Sequence, residues 1–146
     1  MRGTRVWVAM LVGFMLVPAC AQACSCAPQA PADSLQESDA AIVGRLVRIV
    51  PRGKLRADYR YEVLHVYRDR GSIEPGQMLT VRSARRSAAC ALPRRVDRSY
   101  GLFLLRRYGH WSGGICGVIA PRRLRHAARR ALTGSARASV QPVLCG

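Results

Sequence analysis

Tyr59-Arg60-Tyr61-Glu62-Val63-Leu64-His65-Val66-Tyr67 is dense in aromatic and β-branched residues, the types that fit a pleated, half-buried surface. Its alternation puts Tyr59, Tyr61, Val63, His65 and Tyr67 on one face, as in a strand packed on one side. Upstream, Ala41 to Val50 is an apolar run broken by Arg45 and Arg48, a second strand that Pro51 ends, with Arg52 to Asp58 as a polar turn. Downstream, Gly71 to Gly76 is a loop containing Pro75, and Met78 to Arg82 is a strand followed by a polar loop up to Cys90. Tyr100 to Arg107 reads as a central strand, Tyr108 to Gly114 as a turn, and Ile115 to Ile119 as a last short strand.

Two helices flank these strands. Ala32 to Ser38 follows a start signal at Pro31 or Asp33 and turns Leu35 inward. Pro121 suits a first helical turn, Leu124, Ala128 and Ala131 then share a face, and Gly134 is a stop. Ser135 to Gly146 reads as a loose tail. About five short strands between turn signals, with one helix before and one after, predict a mainly β domain, a barrel or a sandwich.

Ahead of this domain, Arg2 and Arg5 precede an apolar run from Val6 to Val17 and the small residues Ala19-Cys20-Ala21-Gln22-Ala23. That order is a secretory signal with cleavage expected after Ala23, and the apolar run is too short to span a bilayer. The expected divisions are therefore 1–23 signal peptide, 24–134 domain and 135–146 tail. Removing 23 of 146 residues leaves 123, enough for one core. Val17-Pro18-Ala19-Cys20 also resembles a bacterial lipobox or an alternative cleavage site, which would start the chain at Cys20. The sequence thus predicts a secreted or periplasmic protein, with lipid anchoring at Cys20 as the alternative.

Six cysteines, at 20, 24, 26, 90, 116 and 145, read in an exported chain as a disulfide framework. Cys24 and Cys26 open the expected mature chain, and being two apart they return to the same side of an extended segment. Cys90 and Cys116, in later loops, are natural partners for the pair. Cys145 is left over after cleavage at Ala23, or pairs with Cys20 if Cys20 is retained. A reduced thiol or copper pair at Cys24 and Cys26 is a further alternative.

Catalytic chemistry finds little support. His65, His110 and His126 stand at no metal-ligand spacing, and no nucleophile elbow, phosphate loop or carboxylate pair occurs. The sequence therefore predicts a non-enzyme with no cofactor and no metal of its own. Without Arg2 and Arg5, 22 basic residues face 8 acidic ones, a net +14, and Lys54 is the only lysine. Such a charge attracts polyanionic polysaccharide or a membrane surface. The arginines are not interleaved with an aromatic stripe, so no specific nucleic-acid partner is expected.

Cys24-Ser25-Cys26-Ala27-Pro28 directly after a signal peptide resembles the N-terminus of the tissue inhibitors of metalloproteinases, within the wider netrin-like group. Ser87-Ala88-Ala89-Cys90 looks like the loop that packs beside that N-terminus. Ala41 to Gly44, Tyr61 to Tyr67, Tyr100 to Leu105 and Gly114-Ile115-Cys116 follow in the family's order, so the likeness covers nearly all of residues 24 to 132. It lacks the family's cysteine near the first helix, where Gln36 or a neighbour stands, which leaves Cys145 without that partner. The resemblance implies a five-stranded OB-type Greek-key barrel, with Cys24 bonded to Cys90 and Cys26 to Cys116. It also implies inhibition of a zinc metalloprotease catalytic domain, the amine and carbonyl of Cys24 chelating the protease's zinc. Ser25 would enter the specificity pocket, with Cys26, Ala27 and Pro28 along the cleft and Ser87, Ala88 and Ala89 flanking it. The alternative function is a non-inhibitory netrin-like module that binds polyanions or a surface partner through its arginine-rich face.

Overall fold

The computed structural model describes residues 24–138, with only the backbone of Ala88 and of residues 134–138. The expected signal segment with Cys20, and the end of the tail with Cys145, lie outside the described residues.

Helix α1 (Pro31–Glu37) starts with proline in its first turn, where the missing N–H costs nothing, and buries Leu35. Strands β1 (Ala40–Arg52) and β2 (Arg56–Asp69) form a long antiparallel hairpin, and β3 (Met78–Ala84) pairs with β2. After a short 3₁₀ turn at Ser87–Ala89 come β4 (Ser99–Arg107), β5 (His110–Ser112), a 3₁₀ turn at Ile115–Gly117, β6 (Val118–Ile119) and helix α2 (Pro121–Ala138). The pairing runs β1-β2-β3-β5-β4 and returns to β1, which closes a five-stranded barrel; β6 adds to the outer side of β4. The β3–β5 pair is the parallel one. This is an OB-fold-like Greek-key barrel with a short helix before it and a longer one after.

Two apolar clusters follow from the two sides of this sheet. Tyr59, Tyr61, Val63, Leu46, Val81, Leu102 and Leu104 fill the barrel, with Ile42, Leu79 and Leu92 around them. On the outside of β1 and β4, Ala41, Val43 and Phe103 are covered by Leu35 from α1 and by Leu124 and Ala128 from α2. Leu124 is fully buried, and its burial contributes roughly 2 kcal/mol. Ala131 packs at the edge of this second cluster, so the expected apolar face of α2 is present.

Several local expectations need correction. The strands do not stop at Pro51 or wait until Tyr59: β1 continues to Arg52, β2 starts at Arg56, and the turn is only Gly53 to Leu55. A proline is tolerated at position 51 because β4 pairs with β1 only as far as Arg45, which leaves this end of β1 an exposed edge. Tyr59, Tyr61 and Val63 do point inward, but His65 is exposed. Register shifts opposite Val43/Gly44 and Ala41/Ile42 each insert one extra residue into β2, Leu64 and then Tyr67. These bulges turn Val66 toward the barrel and give Leu64 and Tyr67 to the outer cluster.

Tyr108 to Gly114 is not one long turn. Tyr108 and Gly109 both have positive φ (50° and 75°) and form a two-residue hairpin that brings His110 straight back opposite Arg107. The expected strand at 115–119 is a 3₁₀ turn followed by two strand residues. Helix α2 runs through Gly134 to Ala138, since an internal glycine costs a helix only about 1 kcal/mol.

Tyr61 is completely buried, and its hydroxyl finds no hydrogen-bond partner among the described residues. Burial pushes its pKa up, so the group stays a neutral phenol. Tyr61→Phe removes only that unpaired oxygen and keeps the ring. It should raise stability by about 1 kcal/mol in urea denaturation; a loss of similar size would instead mean that internal water completes the hydroxyl.

Candidate functional site: the doubly bridged N-terminal segment

Residues 24–30 have no regular secondary structure, and their own packing does not fix them: Ser25 to Ala30 are exposed and Cys24 is half-buried. Covalent bonds hold this segment. Cys24 is bonded to Cys90 and Cys26 to Cys116, with Cα–Cα distances of 5.4 and 5.3 Å. Both sulfurs are thus engaged, which excludes a reduced thiol pair at Cys24 and Cys26 in this state. Two disulfides place the chain in an oxidising compartment. Among the described residues no helix is long and apolar enough to cross a membrane.

The two anchor points are themselves joined. The Ile115 N–H donates to the Cys90 carbonyl at 3.0 Å, drawing the two cysteine loops together. Cys90 ends the 3₁₀ turn in the left-handed region (φ 61°, ψ 34°), and its N–H donates to the Ser87 carbonyl at 3.1 Å. Gly114 lets the loops approach this closely, since a Cβ there would sit 2.9 Å from the Cys90 oxygen. A Cβ at Gly117 would come still closer to backbone, 2.7 Å from the Phe103 carbonyl oxygen. Gly114→Ala should therefore cost about 1–3 kcal/mol in urea denaturation with both bridges intact, because backbone must shift to admit the methyl. An unchanged midpoint would show that the loops are not locked by this contact.

The Cys24–Cys90 bridge sets residues 24 to 26 beside the 87–89 turn. Cys24 Sγ lies 4.0 Å from the Ser87 carbonyl oxygen, a packing contact since a disulfide sulfur has no proton to donate. Ser87 and Ala89 are exposed beside it, and Ala88 completes the turn in backbone. Ser25, Ala27 and Pro28 project from the segment into solvent. The structure thus joins Cys24 to Cys90 and Cys26 to Cys116 and sets Cys24 beside Ser87, with Ala27 and Pro28 following as exposed chain.

Further on, Gln29 Nε2 donates to Glu37 at 2.7 Å and Ser34 Oγ donates to Gln29 Oε1 at 3.2 Å, which fasten the end of the segment to α1. A groove of about 490 Å³ lies alongside, between α1, Phe103 and Leu105 of β4, and Gly113-Gly114.

Arginines border the other side, and sequence reading did not single them out for this place. Arg85 follows β3 into the loop that ends at the 87–89 turn, and there it latches the β1–β2 hairpin tip. Its N–H donates to Leu55 O at 2.9 Å, and its guanidinium donates to Gly53 O at 3.1 Å. The Arg94 guanidinium donates to Arg85 O at 2.8 Å. Beneath them Tyr59 donates to Ala84 O at 3.2 Å, and burial keeps that phenol protonated by raising its pKa. The one sequence signal for this rim was the Arg85-Arg86 pair within the predicted polar loop before Cys90.

Neither the protein-family models nor the curated proteins compared with this chain match it. His65, His110 and His126 are exposed on three different elements, β2, β5 and α2. Among the described residues no three His, Cys, Asp or Glu side chains are grouped to hold a metal. What the segment offers is an exposed, covalently braced peptide with two small side chains and backbone groups turned to solvent.

Proposed function

We propose that this protein is an exported, non-catalytic inhibitor of zinc metalloproteases, of the kind represented by the tissue inhibitors of metalloproteinases and related netrin-like modules. The observation that carries this reading is the double bridging of Cys24-Ser25-Cys26 to Cys90 and Cys116 on an OB-type barrel. A segment tied at both cysteines is already ordered, so a protease cleft that receives it meets little of the entropy cost of binding a free peptide.

The inhibitory step needs a free α-amine on Cys24, made by cleavage after Ala23. That amine and the Cys24 carbonyl would take the coordination site that a catalytic zinc keeps open for water. Ser25 would point into the specificity pocket, and Ala27 and Pro28 would lie along the cleft with Ser87 to Ala89 beside them. With both cysteines oxidised, the chain works after secretion or in the periplasm, delivered there by residues 1–23.

The test has two parts. The N-terminal sequence and intact mass of the exported protein should show a chain beginning at unmodified Cys24 with two disulfides. That protein should then titrate the activity of at least one zinc metalloprotease catalytic domain to zero at one-to-one stoichiometry. A mature chain beginning at Cys20 would rule the mechanism out, since the Cys24 nitrogen would then be a peptide N–H.

A further inference from the structure

The outer face of the β1–β2–β3 sheet has a composition unlike the rest of the barrel. The register aligns Arg48 with Arg60 and Thr80, Val50 with Asp58 and Arg82, and Arg52 with Arg56 and Ala84. Aligned residues share a face, and the alternating residues Ile49, Tyr59, Tyr61, Leu79 and Val81 belong to the barrel interior. Five arginines thus share one outward strip with a single carboxylate, Asp58. The row of Arg48 and Arg60 stands about 13 Å from that of Arg52 and Arg56, and three strands make the strip about 10 Å wide.

Asp58 does not neutralise the strip but organises it. It is 5% exposed beneath the arginines, accepting from Arg52 Nε at 2.7 Å and lying 3.9 Å from Arg82 Nε. Both contacts use the inner edge of the guanidinium, while the two side chains remain 65% and 44% exposed. Arg48 and Arg56 are exposed and have no acceptor among the described residues. Arg60 is half-buried, and its buried Nε is likewise unpaired. Guanidinium groups arrayed in this way match the paired oxygens of carboxylates and sulfates.

We infer that this strip is a docking surface for a linear acidic polysaccharide, its carboxylate or sulfate groups spaced along Arg48, Arg60, Arg56 and Arg52. A flexible chain can follow the convex outside of a closed barrel, whereas a planar bilayer touches such a surface over a small area. Peripheral membrane binding also calls for large apolar side chains among the basic ones; the exposed Leu55 and Met78 sit at opposite ends of the strip, and within it the apolar side chains are the short Val47 and the half-buried Val50. No aromatic side chain faces outward between the arginines, so unstacked bases find no platform there. This inference does not depend on the inhibitor reading.

The test uses the mature protein with heparin and alginate chains as sulfate and carboxylate probes, in low and high salt. Arg48→Gln with Arg56→Gln should lower affinity by about tenfold or more and flatten the salt dependence, with the melting temperature unchanged. Arg122→Gln with Arg129→Gln on α2 removes the same charge elsewhere and should lower it by less than about threefold. Equal losses from the two pairs would mean that net charge alone binds and would overturn the proposal. So would tighter binding to anionic phospholipid vesicles that Leu55→Ala weakens, or equal affinity for single-stranded polythymidylate.

Discussion

A single alanine added ahead of Cys24 should reduce inhibition of a susceptible zinc metalloprotease by at least about a thousandfold, equivalent to about 4 kcal/mol of binding. The change converts the α-amine into a peptide N–H, which has no lone pair available for zinc. It leaves both cysteines, both bridges and all of the barrel in place, so its melting curve should overlay that of the unextended protein. Acidification should show the same dependence. An α-amine titrates at about 7.7–8.0, and only its neutral form ligates, so affinity should fall about tenfold per pH unit below that range. The protease's own pH dependence is removed by comparison with a small hydroxamate inhibitor. Full inhibition by the extended protein, at normal affinity, would show that the segment acts without its terminus and would end the chelation mechanism.

Loss of the Cys26–Cys116 bridge should be the most costly single change to the fold. The bridge joins residues separated by 90 positions, and in the chain-entropy account closing such a loop contributes about 4–5 kcal/mol. Measured values for native bridges in small exported domains fall at about 2–5 kcal/mol. The paired replacement Cys26→Ser with Cys116→Ser is therefore expected to lower the melting temperature by about 10–20 °C for a domain of this size. The remaining Cys24–Cys90 bridge, with a separation of 66, keeps residue 24 beside Ser87. The variant should accordingly fold at low temperature but bind its target more weakly, because the segment beyond Cys24 is no longer fixed. A melting temperature within about 3 °C of the parent would mean that the barrel core carries nearly all the stability.

How far these features were legible in the sequence depended on the distance over which each is determined. Strand alternation is local, so the segments around Val43, Tyr61, Leu79 and Phe103 were found, as was the apolar face of α2 through Leu124 and Ala128. The bulges at Leu64 and Tyr67 answer to the strand across from them, and His65 was accordingly assigned to the wrong side. The hairpin at Tyr108-Gly109 was missed because a tyrosine with positive φ gives no propensity signal. Cysteine spacing suggested which loops receive the N-terminus, but the pairing itself came only with a family resemblance. The arginine strip was invisible for a different reason. Arg48, Arg60 and Arg82 lie on three strands, and only the register sets them in neighbouring rows.

The two bridges also impose an order on synthesis. An early segment is fixed late, because Cys24 and Cys26 must wait for Cys90 and Cys116 to be made and placed by the barrel. Contacts of such sequence separation are slow to form and close only after much of the chain has already condensed. A truncated or misfolded chain would therefore carry its N-terminal cysteines as loose thiols, open to capture by an oxidoreductase or to mixed-disulfide retention. The braced segment doubles as a certificate of completion, displayed only by molecules whose distant loops have found one another.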